Sequence, residues 1–106
     1  MNTILRGQIL ECLSNNAQAV TFGALAPLIN SIARSCMNDL PRNHQNSWVV
    51  RKSDYLPPGY STTQIDPRLR DSIHQNGVIS TSDQLSQWLT DNCKSPQIKI
   101  KKIINK

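Results

Sequence analysis

Thr21-Phe22-Gly23-Ala24-Leu25-Ala26-Pro27-Leu28-Ile29-Asn30-Ser31-Ile32-Ala33-Arg34-Ser35-Cys36-Met37-Asn38-Asp39-Leu40 is the stretch on which the fold turns. Phe22, Leu25, Ala26 and Ile29 recur at i, i+3, i+4 and i+7, the spacing of one helical face. Thr21 is a good N-cap for that helix. Ser31 can cap a second helix over Ile32, Ala33, Cys36, Met37 and Leu40, which Pro41 ends. Asn30, between the two, suits a tight turn because asparagine is the best substitute for glycine at positive φ. Ala26 is a small residue where the helices would cross, and Cys36 and Leu40 fall at buried spacings beyond it. This pattern predicts a helix-turn-helix whose outward face presents Arg34, Ser35, Asn38 and Met37. Arginine and asparagine are the types that read guanine and adenine edges in a major groove. The plainer alternative is a helical hairpin in a small α-rich domain. Pro27 stands about one turn in, where its ring meets a carbonyl four residues back, so the helix either starts later than Thr21 or is distorted.

Working outward, Leu5, Ile9, Cys12 and Leu13 mark an amphipathic helix over residues 3–14, with Ser14-Asn15-Asn16 ending it and asparagine suited to the left-handed cap. Trp48-Val49-Val50 reads as a short strand. A loop over 53–64 centres on Pro57-Pro58-Gly59, and the flanking Tyr55 and Tyr60 fit a wing tip touching DNA backbone, a protein-contact loop or simply a packed turn. Asp66 as N-cap and Pro67 at the first helical position open a short helix that Asn76-Gly77 stops. Val78-Ile79 is a further strand candidate, and a last helix runs from Ser82 to Cys93 with Leu85, Trp88 and Leu89 on one face. The expected fold is mainly α with short strands: a single-domain winged helix-turn-helix over 1–93, followed by a basic tail over 94–106.

The chain has 106 residues, 38% of them hydrophobic, and a net charge of +5. Its longest apolar runs are too short to span a bilayer, and no signal peptide is evident, so a cytoplasmic location is expected. Cys12, Cys36 and Cys93 are odd in number and widely spaced, which argues against disulfides and zinc and for reduced, buried thiols. The basicity belongs to the tail: Lys94, Lys99, Lys101, Lys102 and Lys106 have no acid among them, whereas residues 1–93 balance seven bases with seven acids. That tail either grips phosphate or merely solubilises the chain end. Within the body, Arg34, Arg42, Arg51 and Lys52 face only Asp39, a local excess of +3. No phosphate-binding glycine loop, carboxylate pair or nucleophile–base arrangement is present, so neither enzyme activity nor a cofactor or metal is expected.

Four segments together resemble a known family. Val20-Thr21-Phe22-Gly23-Ala24-Leu25-Ala26, Ala33-Arg34, Ser47-Trp48-Val49-Val50 and Asn76-Gly77-Val78 are similar to the T-Y-G-x-[IL]-A, A-R-x-V-G, P-W-H-R-V and x-G-[IV] patterns of the alkyltransferase-like proteins. Those are winged-helix relatives of the alkylguanine-DNA alkyltransferases. The likeness spans about residues 4–80. It implies that Phe22 takes the place of the tyrosine that rotates the extruded nucleotide's phosphate. It implies that Arg34 is the arginine that fills the gap in the base stack, and that Trp48 stands at the nucleophile position, so that Phe22 and Trp48 border a base pocket. A planar cation suits the gap-filling role. Tryptophan cannot accept an alkyl group. Ser47, Val49 and Val50 depart from the family's Pro, His and Arg, and Phe22 lacks the tyrosine hydroxyl.

The leading expectation is non-catalytic binding of double-stranded DNA, with Arg34, Ser35 and Asn38 near bases and Arg42, Arg51 and Lys52 on phosphates. The alternative is a protein-binding inhibitor or adaptor of phage or plasmid type that reuses the scaffold. Its basis is the neutral body and the Asn/Gln-rich surface.

Overall fold

The computed structural model describes residues 1–93, so the expected basic tail, whose alternating Gln97-Ile98-Lys99-Ile100-Lys101-Lys102 reads as a marginal edge strand or a frayed arm, lies outside the described residues. Helix α1, Thr3–Asn16, leads into strand β1, Ala19–Thr21, and helix α2, Phe22–Leu28. A 3₁₀ turn at Gln45–Trp48 precedes strand β2, Val49–Val50. A second 3₁₀ turn, Thr62–Gln64, helix α3, Leu69–Asn76, strand β3, Val78–Ile79, and helix α4, Ser82–Asn92, complete the described residues. The domain is about half helical and has one contiguous core.

The sheet was only half anticipated. Its order is β2-β1-β3, with both pairings parallel: Val20 lies opposite Val49 on one side and Ile79 on the other. Ala19, Val20 and Thr21 are all buried, as a central parallel strand requires. β2, expected to lead into a wing, instead pairs parallel with β1.

Thr21 does cap α2, its Oγ1 accepting the Ala24 amide at 3.2 Å. Pro27 is accommodated in the last turn, exposed, and the helix stops one residue later at Leu28. The Ser31 amide then donates to the Ala26 carbonyl at 3.0 Å and the Asn30 amide to the Pro27 carbonyl at 3.3 Å, with Asn30 left-handed at φ 57°. This is a Schellman stop, with asparagine where the sequence required it. Asn30→Val is expected to destabilise the fold by about 1–2 kcal/mol, because a β-branched residue is strained there, and Asn30→Gly to leave it nearly unchanged. Urea midpoints check both.

Three expectations need correction. α1 ends with Ala17, not an asparagine, in the left-handed position (φ 51°), because the Asn16 side chain bonds back to the Cys12 carbonyl at 2.8 Å. α3 begins at Leu69, two residues after Pro67, although Asp66 still accepts the Arg68 amide at 2.9 Å and so caps the turn that enters it. Residues 32–40 form no α-helix but a run of turns, mostly closed by i→i−3 bonds such as Ser35 to Ile32 and Leu40 to Met37. Winding of that kind advances more than the α-helical 100° per residue, so the apolar stripe does not stay on one face. Cys36 is buried, Met37 and Leu40 are half-buried, and Ile32 and Ala33 are exposed.

All three cysteines are free, Cys12 and Cys36 buried and Cys93 half-buried. Burial, and then the adjacent Cys93 thiol, push the Cys12 thiol up to about 12. In the unfolded chain a thiol titrates near 8.5, so below that pH both states hold the proton and Cys12 contributes no pH dependence. Above it only the unfolded state releases the proton, and stability falls with rising pH, by up to about 1.4 kcal/mol per pH unit. Urea midpoints between about pH 8 and pH 10 should fall less steeply for Cys12→Ala than for the wild type. Equal slopes would disprove the assignment.

Candidate functional site

The carboxyl ends of the parallel strands open onto one cleft of about 760 Å³. Such ends are where open parallel sheets leave a crevice. Thr21 ends β1 and Phe22 follows it, Arg51 follows β2 and Ser80 follows β3, and all four line the cleft. The 32–40 turns add Arg34, Met37 and Asn38. The loop after β2 adds Lys52, Pro58 and Tyr60, and the connection between these two segments adds Arg42 and Asn46.

Of the residues expected to bind, Phe22, Arg34, Asn38, Arg42, Arg51 and Lys52 therefore converge on one cavity. Ser35 does not: it is half-buried, its amide bonded to the Ile32 carbonyl and its carbonyl to the Asn38 amide. Trp48 does not either. The 3₁₀ turn sends its ring into the core at 0% exposure, and the next residue, Val49, lines the cleft instead. The Arg68 guanidinium covers the ring, its carbon 5.3 Å from the ring centre, and is held there by Asp66 at 2.8 Å and the Ser14 carbonyl at 3.1 Å. The Arg68 guanidinium in turn holds the Asp66 carboxyl below its ordinary range.

Because no hydrogen-bonded helix presents Arg34 and Asn38, another device must hold their segment. It is Arg6, buried in α1, which no local pattern singles out. Its Nη1 donates to the Cys36 carbonyl at 2.9 Å and to Asp39 Oδ1 at 2.7 Å, while Nη2 reaches Asp39 Oδ2 at 2.9 Å. A two-pronged guanidinium–carboxylate pair fixes orientation as well as distance. The Arg6 guanidinium keeps the exposed Asp39 carboxyl ionised below the usual carboxylate range.

The lining carries four cations, Arg34, Arg42, Arg51 and Lys52, and no acid. Among the described residues the ion pairs are Arg6–Asp39, Arg51–Asp54 and Arg68–Asp66, so Arg34, Arg42 and Lys52 keep their charges unpaired. Asp54 shapes the loop: it pairs with Arg51 and accepts the Leu56 amide at 3.1 Å, while the Tyr55 amide donates to the Arg51 carbonyl at 2.8 Å. Tyr55 is left-handed there, at φ 57°. The same loop borders a second groove of about 470 Å³ with apolar Leu56, Ile65, Leu69 and Ile73.

Unpaired cations beside the rings of Phe22 and Tyr60 make a cavity suited to a planar base attached to an anionic backbone. Cys36 is a poor nucleophile, fully buried and with its thiol pushed up by that burial. His44 points at the Thr63 carbonyl, 3.0 Å away. Sequence reasoning missed Thr21, Asn46 and Ser80 because their place follows from β1, which has only three residues and remote partners. Tyr60 was visible only as a flank of the Pro57-Pro58-Gly59 turn.

Among the described residues, no helix is long and apolar enough to cross a membrane, and no group of three or more His, Cys, Asp and Glu side chains is placed to hold a metal ion. In comparisons with family models, curated proteins and solved structures, the chain matches none.

Proposed function

We propose that this chain is a non-catalytic, cytoplasmic DNA-binding protein that acts in the manner of the alkyltransferase-like proteins it resembles, with the 32–40 turns and the loop after β2 standing in for the recognition helix and wing of a winged helix-turn-helix. The 32–40 segment enters the groove, the loop after β2 acts as the wing, and the cleft receives an extruded base. The observation that carries this reading is the cleft itself: Phe22, Arg34 and three further cations line one cavity that has no acid in its wall. Phe22 and Tyr60 offer ring faces to a base, and Arg34 is the cation nearest in kind to a gap-filling residue. With Trp48 in the core, the floor falls to Val49 and Met37, both apolar and without a hydrogen-bonding edge.

The test is fluorescence anisotropy with labelled duplex DNA over a salt series, with and without an alkylated guanine. Three unpaired cleft cations give an expected slope of log K against log salt of roughly −3, plus any share from the tail. Replacing Lys94, Lys99, Lys101, Lys102 and Lys106 by glutamine in the full chain should leave the cleft's share intact. Binding that vanishes with those lysines would overturn the reading.

A second reading, a protein-binding adaptor, is favoured by a separate observation. Tyr55 and Leu56 are 44% and 48% exposed at the edge of the apolar groove. Stoichiometric capture of a protein partner, without salt-dependent DNA binding, would select it.

A further inference from the structure

In the reading above the loop carrying Pro57-Pro58-Gly59-Tyr60 is the wing and Tyr60 stacks on a base, but Gly59 has no part, and it is in an unusual relation to Arg42. A Cβ on Gly59 would stand 3.0 Å from Arg42 Nε, 3.0 Å from Nη2 and 3.3 Å from the guanidinium carbon. The two nitrogens stand nearer than the carbon they share, so the guanidinium turns its Nε/Nη2 edge toward the glycine. Gly59 is also left-handed, at φ 78°. Arg42 has no ion-pair partner among the described residues, and Lys52 and the Asp54-anchored Arg51 line the same cleft. Tyr60, next in sequence, is half-buried, and its hydroxyl lies within the field of Arg42, which opposes the upward push of burial on its pKa.

Resting on the DNA-binding reading, we propose that Arg42 and the Gly59–Tyr60 turn form a subsite for one backbone phosphodiester at the rim of the cleft, with Gly59 as the positioning residue. A guanidinium backed against the turn by its Nε/Nη2 edge keeps the Nη1 side of its fork clear of the glycine, and two adjacent N–H donors there match a phosphate in a two-pronged contact. Arg42 binds the phosphate, and the hydrogen atom of Gly59, in place of a methyl, lets the arginine lie there. Because the group that a side chain would strike is the end of a flexible arginine, that arginine moves and the loop backbone stays. A substitution at Gly59 therefore reads on binding more than on folding.

The experiment uses the full chain, a labelled plain duplex and a salt series. It compares wild type, Arg42→Ala, Gly59→Asn and the double variant, with thermal midpoints for each. Asparagine tolerates the left-handed backbone while adding the Cβ, which separates the contact with Arg42 from backbone strain. Arg42→Ala is expected to weaken binding roughly tenfold, the scale of a charged hydrogen-bonded contact, and to make the salt slope shallower by about one. Gly59→Asn is expected to weaken binding by about threefold to tenfold alone and to add nothing in the Arg42→Ala background, since its effect runs through that side chain. Equal losses from Gly59→Asn in both backgrounds would overturn the positioning role. An unchanged slope in Arg42→Ala, with wild-type binding intact, would overturn the subsite alone. A wild-type chain with no salt-dependent binding would overturn the DNA reading and the subsite with it.

Discussion

Trp48→Ala is expected to lower the free energy of unfolding by about 3–5 kcal/mol, the range for deleting a large aromatic from a packed interior. Trp48 is 0% exposed and the largest fully buried side chain of the domain. It belongs to the 3₁₀ turn packed on α1, so its loss opens a void between that helix and the start of β2. The Arg68 guanidinium over its ring would also lose that contact. At about 4–8 °C per kcal/mol for a chain of this size, the midpoint should drop by roughly 12–40 °C. Trp48→Phe should cost far less. Trp48 Nε1 is the buried side-chain polar atom without a hydrogen-bond partner among the described residues. Such an orphan costs about 1–3 kcal/mol, and phenylalanine removes it, offsetting part of the lost volume. Thermal unfolding monitored by circular dichroism decides the matter. An alanine variant within about 1 kcal/mol of wild type would mean that the ring is not in the core. The base-pocket role implied by the resemblance would then return.

Arg34→Ala and Phe22→Ala carry the largest expected effects on binding. Phe22 is half-buried and lines the cleft, and stacking of one base on an aromatic ring is worth about 1–3 kcal/mol, or roughly 5-fold to 150-fold in affinity. Arg34 is exposed at the cleft wall without an ion-pair partner among the described residues. If it fills the gap left by an extruded base, Arg34→Ala should weaken binding by at least about tenfold and abolish any preference for the alkylated duplex. Arg34→Ala should leave the thermal midpoint within a few degrees, since it removes an exposed side chain, whereas Phe22→Ala, which removes a half-buried ring packed against the core, should lower it further, so its binding is compared well below its midpoint. Anisotropy with paired plain and alkylated duplexes gives both readouts. An affinity and lesion preference unchanged by both substitutions would remove the extruded-base mechanism and leave at most backbone contact through Arg42 and Lys52.

What the sequence determined by itself was much of what neighbours within a turn or two govern, though not the Ala17 cap of α1 or the start of α3. Thr21 and Thr81 cap their helices because a threonine oxygen reaches an amide three residues on. Asn30 and Gly77 end theirs because few residues adopt positive φ at low cost. The α1 face of Leu5, Ile9, Cys12 and Leu13 is buried as its spacing required. Only the tertiary structure decided what depends on distant partners. β1 is three residues without an alternating pattern, and it exists because Val20 finds Val49 and Ile79. The 32–40 segment has helical spacing, yet it is wound in turns and clamped by Arg6 from thirty residues away, through the Cys36 carbonyl and Asp39. Trp48 and Val49 are adjacent in sequence, yet one fills the core and the other lines the cleft, because the 3₁₀ turn gives way to extended backbone between them. Arg42 lies against Gly59 because a loop returns it there. Caps and periodicity act over a few bonds and leave their signature in the residue order. A parallel sheet, a long-range ion pair and the cleft at the strand ends are contacts between segments remote in sequence, and no local pattern encodes them.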